Sequence, residues 1–132
     1  MLEYNISGTS VAHTKAEFEV RNHLYKFGIT PEDDSASPAD LLVGAFAACA
    51  IKNVERFSKM MKFEYEEAKV EVNAKRQDKP PMIKEINFVL SIKSDDPKLN
   101  LPLLQKNIEK FGTIYNTLNQ VCEIRGEYKL ID

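Results

Sequence analysis

The sequence predicts an α+β fold in a single domain spanning residues 1–132, with helices packed on one face of a largely antiparallel sheet. Three observations carry that expectation. Ala68, Val70, Val72 and Ala74 alternate with polar residues, and so do Ile86, Phe88, Leu90 and Ile92, as in strands with one buried and one wet face. Residues 37 to 61 form a capped helical pattern that is apolar almost all round. No repeat, low-complexity tract or long linker divides the 132 residues, enough for a core without staples.

The elements follow in order. Residues 2 to 6 and 16 to 27 alternate in character, with Phe18, Val20 and Leu24 on one parity, which predicts an N-terminal hairpin or meander. The segment ITPEDDSAS is a polar, turn-rich loop. The two alternating runs, separated by the breaker RQDKPPM, predict a hairpin. In SDDPKLN, Asp96 is a candidate helix cap and Pro97 fits a first turn, with Leu101, Leu104, Ile108 and Phe111 as the apolar side. TIYNTLNQ after Gly112 reads as a shorter helix, and VCEIRGEYKLI as a closing strand.

The helix at 37 to 61 contains the one candidate reactive group, Cys49. Ser37 is placed as N-cap, Pro38 at the first helical position and Asp40 three residues after the cap, a capping-box arrangement. Gly44, Ala45, Ala47, Ala48 and Ala50 remove bulk around the sulfur, so another helix or subunit can approach closely. A thiol in such a place is either inert packing or a protected nucleophile. The helix dipole gives it little help some three turns from the N-terminus. Lys52 and Asn53, three and four residues on, either face the same side as the sulfur and favour its thiolate or are exposed, the preferred reading.

Composition limits the function classes. A formal charge of −2 without a basic stripe argues against nucleic-acid binding. Two distant cysteines and no signal-like N-terminus predict a reducing cytoplasm. No apolar run approaches membrane-spanning length. Two histidines, His13 and His23, are too few for a metal site, and no dinucleotide or phosphate-binding fingerprint is present, so no cofactor is expected.

The order SPADLL…AACAIKNVERFSKM, VEVNAKRQDKPP, IKEINFVLSI and LQKNIEKFGTIYNTL resembles the OsmC/Ohr family of thiol-dependent hydroperoxide reductases over nearly the whole chain. The resemblance implies an intertwined homodimer, its long central helices buried between subunits and its reactive cysteine beneath an apolar pocket. Cys49 stands where the peroxidatic cysteine would stand, and Asp40 matches the acidic position of the S-P-x-E-L-L branch. The organic-peroxide branch has its carboxylate one residue earlier, at Ala39 here. The family's activating arginine comes from the N-terminal strands, where Arg21 is the candidate, with His13 or Lys15 as alternatives for that place. The family's second cysteine, which resolves the sulfenic acid, aligns with EKFGTIYNTL, where this chain has Gly112. Cys122, ten residues downstream, is not equated with it and reads as core packing.

Two readings therefore stand side by side. In one, the protein is a one-cysteine peroxidase, with Cys49 reduced by an external thiol or dithiol and Asp40 or Arg21 assisting. In the other, the fold persists without peroxidase activity, as a dimer that binds an apolar or acyl-type small molecule. The missing second cysteine favours the second reading; the helical position of Cys49 favours the first.

Overall fold

The computed structural model describes residues 1–131. The chain is α+β, with three helices and two three-stranded sheets, and it forms two compact units, Met1–Leu42 and Val43 onward.

The first unit is a meander of β1 (Ser7–Val11), β2 (Lys15–Val20) and β3 (His23–Lys26), all antiparallel, and it contains the start of α1 (Pro38–Met61). The first strand begins at Ser7, later than the expected residues 2 to 6. Its second turn also reverses the expected parity. Arg21 and Asn22 both take positive φ, 51° and 65°, as a two-residue hairpin turn requires. Phe18 therefore faces Tyr25, their rings stacked at 5.4 Å, while Leu24 sits opposite Glu19 and is exposed.

The α1 N-terminus is closed by the capping box read from the sequence. Ser37 Oγ accepts the Asp40 backbone N–H at 3.1 Å, and the Asp40 carboxylate accepts the Ser37 N–H at 3.0 Å.

The second unit holds the core. Strands β4 (Glu67–Asp78) and β5 (Pro81–Lys93) pair antiparallel, with Ala68, Val70, Val72 and Ala74 turned toward the buried cluster. Both strands run further into RQDKPPM than the breaker suggested, with a register shift between Lys75 and Arg76. Ile86, Phe88, Leu90 and Ile92 of β5 are buried against Phe46, Val54 and Phe57 of α1 and against Leu104 and Ile108 of α2 (Leu101–Phe111). Each such side chain contributes about 1.5–3 kcal/mol on full burial.

Two expectations are corrected here. Asp96 does not cap α2; Asn100 does, its side chain accepting the Leu103 N–H at 3.1 Å. Asp96 instead ties down the preceding turn, accepting N–H groups of Glu64 and Lys98, both at 2.8 Å. The closing strand, β6 (Glu123–Ile131), pairs parallel with β5, so this sheet is mixed. A parallel return needs a long crossover, and α2 with α3 (Thr113–Asn119) provides it.

Candidate functional site

Cys49 is half-buried on α1 and is a free thiol. Its surroundings come from three helices and a strand. Phe46 on α1, Phe88 on β5, Ile108 on α2, Gly112 between α2 and α3, and Tyr115 on α3 line a cavity of about 10 Å³ beside it. That space holds no more than one water molecule. On this side the sulfur is walled in by apolar groups.

The exception is Asn53, one turn along α1. It is buried, at 6% exposure, contrary to the exposed position expected from the sequence. Its Nδ2 donates to the Cys49 carbonyl at 3.0 Å and lies 3.4 Å from Cys49 Sγ. Lys52 is exposed, as expected. A helix exposes and buries adjacent positions about 100° apart, and the sequence around 52–54 gives too little polarity contrast to show which is which.

Gly112 lies against this group. A Cβ there would stand 3.4 Å from Asn53 Nδ2, 3.2 Å from Tyr115 Cβ and 2.9 Å from the Ile108 carbonyl oxygen. Gly112 is thus beside the Cys49–Asn53 pair, and its position is too tight for a side chain without backbone movement. Cys122 is elsewhere, buried, its Sγ donating to the Ile83 carbonyl at 3.2 Å. Burial pushes its thiol pKa up, with a smaller opposing effect of Lys84.

Behind the cavity, Tyr115 donates its hydroxyl to Glu109 Oε1 at 3.1 Å. Burial, then the Glu109 charge and hydrogen bond, push the Tyr115 phenol up to about 12. Tyr128 is pushed up further by burial, with added repulsion from Glu109 and Tyr115, and its buried hydroxyl has no partner among the described residues.

The other sequence-predicted residues belong to the first unit. Asp40 is exposed, its carboxylate held below the usual range by the Ser37 backbone N–H first and the Ser37 hydroxyl second. Nine residues along one helix are two and a half turns, so Asp40 and Cys49 leave α1 on opposite sides, about 13 Å apart along its axis. Arg21 is exposed in the β2–β3 turn and makes no ion pair among the described residues. Of the alternatives for its place, His13 takes positive φ in the β1–β2 turn and Lys15 opens β2; both are exposed. Among the described residues no cluster of three or more His, Cys, Asp or Glu side chains is arranged to hold a metal ion, and no helix is long and apolar enough to cross a membrane.

The first unit carries its own apolar groove of about 460 Å³, lined by Ile6, Phe18, Phe27, Pro38, Leu41 and Leu42. No sequence pattern shows that these residues converge, because Ile6, Phe18 and Phe27 lie before β1, on β2 and after β3.

A cysteine set in a small-residue helix, backed by a mixed three-stranded sheet and preceded by an antiparallel meander, defines a known α+β class. The chain belongs to the OsmC-like protein family, whose model matches residues 31–126. It is similar to an OsmC-like protein of Mycoplasma pneumoniae, with 17% identity, coverage of 99% of each chain and a TM-score of 0.84. It is also similar to an organic hydroperoxide resistance protein OsmC of Legionella pneumophila (14% identity, 98% of this chain and 99% of that chain, TM-score 0.71). A third similar structure is the organic hydroperoxide resistance protein OhrB of Bacillus subtilis (14%, 97% and 98%, 0.61). At these identities the likeness establishes the fold. Comparison with curated protein sequences finds no match.

Proposed function

We propose that the protein reduces hydroperoxides through Cys49, with electrons from an external thiol or dithiol. The observation that carries this reading is a half-buried cysteine whose sulfur faces a buried amide donor, in a chain of the OsmC-like family. The Cys49 thiolate attacks one oxygen of R–OOH, the O–O bond breaks, and RO⁻ leaves and takes up a proton as ROH. Cys49 becomes a sulfenic acid. One external thiol condenses with it to a mixed disulfide, releasing water, and a second thiol returns Cys49 to the thiol and leaves as a disulfide.

The working unit in this reading is a homodimer. Within residues 1–42 only Ala16 is buried, while Leu2, Tyr4, Ile6, Val11, Leu24 and Tyr25 are exposed. Apolar exposure on that scale in a 42-residue unit calls for a cover, and α1 also exposes the small residues Gly44 and Ala48. A second copy covers both surfaces by symmetry. Asp40 and Arg21 then assist the thiolate of the other subunit rather than their own. A reducing compartment such as the cytoplasm suits the external thiol.

The test is consumption of an alkyl hydroperoxide with dithiothreitol as reductant, comparing wild type with Cys49→Ser. Turnover lost in the variant is the expected result; equal rates in two folded proteins would refute the proposal. A second reading, binding of an apolar or acyl-type small molecule without turnover, is favoured by the apolar groove and by Gly112 in place of a second thiol. It expects ligand binding that survives Cys49→Ser.

A further inference from the structure

We infer that Asn53 is the positioning residue of Cys49, holding its sulfur by a hydrogen bond in the place where the chain has no second thiol. The inference rests on the reading of Cys49 as a nucleophile. Asn53 is over nine-tenths buried in the middle of α1, flanked by Val54 and Phe57 of the core. A buried amide is unfavourable unless its donors are satisfied, and an apolar residue of similar volume would meet no such demand. One amide proton goes to the Cys49 carbonyl, a local bond that any helical Asn can make. The same nitrogen is also within reach of the sulfur at 3.4 Å, inside hydrogen-bond range for a sulfur acceptor.

Gly112 completes the arrangement. A side chain there would press on the Asn53 amide, on Tyr115 and on the Ile108 carbonyl, so the glycine and the amide fit as a pair. Cys122 is occupied with Ile83 and buried. A sulfenic acid formed on Cys49 by a hydroperoxide therefore meets no thiol of its own chain. It stays as the sulfenic acid, hydrogen-bonded to Asn53, until an external thiol arrives. Donation to a charged sulfur or sulfenate oxygen is stronger than to a neutral group, so one amide serves the sulfur before and after oxidation.

The experiment compares wild type with Asn53→Leu, which keeps the volume and removes the donor, and Asn53→Ala, which removes the donor without adding charge or bulk. Folding of each is verified by circular dichroism. Two readouts are taken: the pH profile of Cys49 alkylation by iodoacetamide, and trapping of the sulfenic acid by dimedone after one equivalent of cumene hydroperoxide. The expected result is alkylation at neutral pH slowed about tenfold or more, given the strength of a hydrogen bond to a charged group. The profile moves to higher pH, and dimedone captures less sulfenic acid, in both variants. Profiles that coincide with wild type in folded variants would overturn the role of Asn53. Wild-type Cys49 that alkylates as expected but is never oxidised by the hydroperoxide would instead refute the peroxidase reading and leave the positioning role standing. Should Asn53→Leu not fold, Asn53→Ala carries the comparison.

Discussion

Phe88 and Gly126 are register partners across the parallel β5–β6 pair, and the Phe88 ring fills the space that a side chain at 126 would need. The same ring packs edge-on against Phe46 of α1 at 5.4 Å and Tyr128 at 5.5 Å, so it cannot withdraw without disturbing the wall of the Cys49 cavity. Gly126→Ala is expected to lower stability by about 1–3 kcal/mol through overpacking, measured by urea denaturation. Gly8→Ala, where the nearest atom to the new methyl is 4.0 Å away, is the control and should stay within about 0.5 kcal/mol. Equal effects at the two positions would show that the ring can give way.

Cys122 is expected to be silent in the folded protein. Its sulfur is buried and engaged with the Ile83 carbonyl, and burial disfavours the thiolate that a disulfide reagent needs. In a Cys49→Ser background, the single remaining thiol should react with Ellman's reagent only as fast as the protein unfolds, and promptly in guanidinium chloride. Prompt reaction in the native state would mean that Cys122 is reachable, and its structural assignment would be wrong.

Alkaline pH should weaken the second unit through its phenols. A phenol is neutral when protonated, so burial that raises the folded pKa lets the native state keep a proton that the unfolded chain loses near 10. The contribution of Tyr115 is therefore complete below pH 10 and is lost as pH rises through about 12. Tyr128 adds a loss of the same sign. Tyr115→Phe should show a flatter decline of the urea midpoint across that window than wild type. An unchanged slope would mean that Tyr115 titrates alike in the folded and unfolded chain.

Elements whose identity is set by local chemistry were legible in the sequence. The Ser37–Asp40 capping box and the alternation through Val70–Val72 and Phe88–Leu90 both depend on near neighbours, and both appear where the pattern placed them. What depended on distant contacts was not legible. The parallel pairing of β6 is decided by the α2–α3 crossover, since VCEIRGEYKLI alternates equally well in either direction. The start of α2 is the exception: Asp96 with Pro97 and Asn100 with Pro102 both offer a cap, and Pro102, tolerated only in a first turn, fits the later start alone. Leu24 changed faces because a two-residue turn at Arg21 and Asn22 reset the parity, using residues other than the usual glycine. Asn53 is the most consequential case. Its burial follows from which side of α1 meets the sheet, and the apolar residues on nearly every side of that helix concealed it.

Gly44 offers the sharpest test of the homodimer. It lies within α1, is exposed, and a Cβ built on it meets nothing within 4 Å. Among the described residues nothing packs on this glycine, and it disfavours the helix by about 1 kcal/mol relative to alanine. In the proposed homodimer, close approach of a second α1 would supply the reason, since glycine lets two backbones come together where a larger residue holds them apart. Sedimentation equilibrium should find wild type dimeric. Gly44→Leu should shift the dissociation constant upward by about tenfold or more, in line with the 1–3 kcal/mol typical of overpacking. The circular dichroism of the helix should be retained. Gly44→Ala, by contrast, strengthens the isolated helix, so a gain in stability without loss of dimer would mean that the second helix passes at a distance. A Gly44→Leu protein with the dimer constant of wild type would remove α1 from the proposed interface altogether.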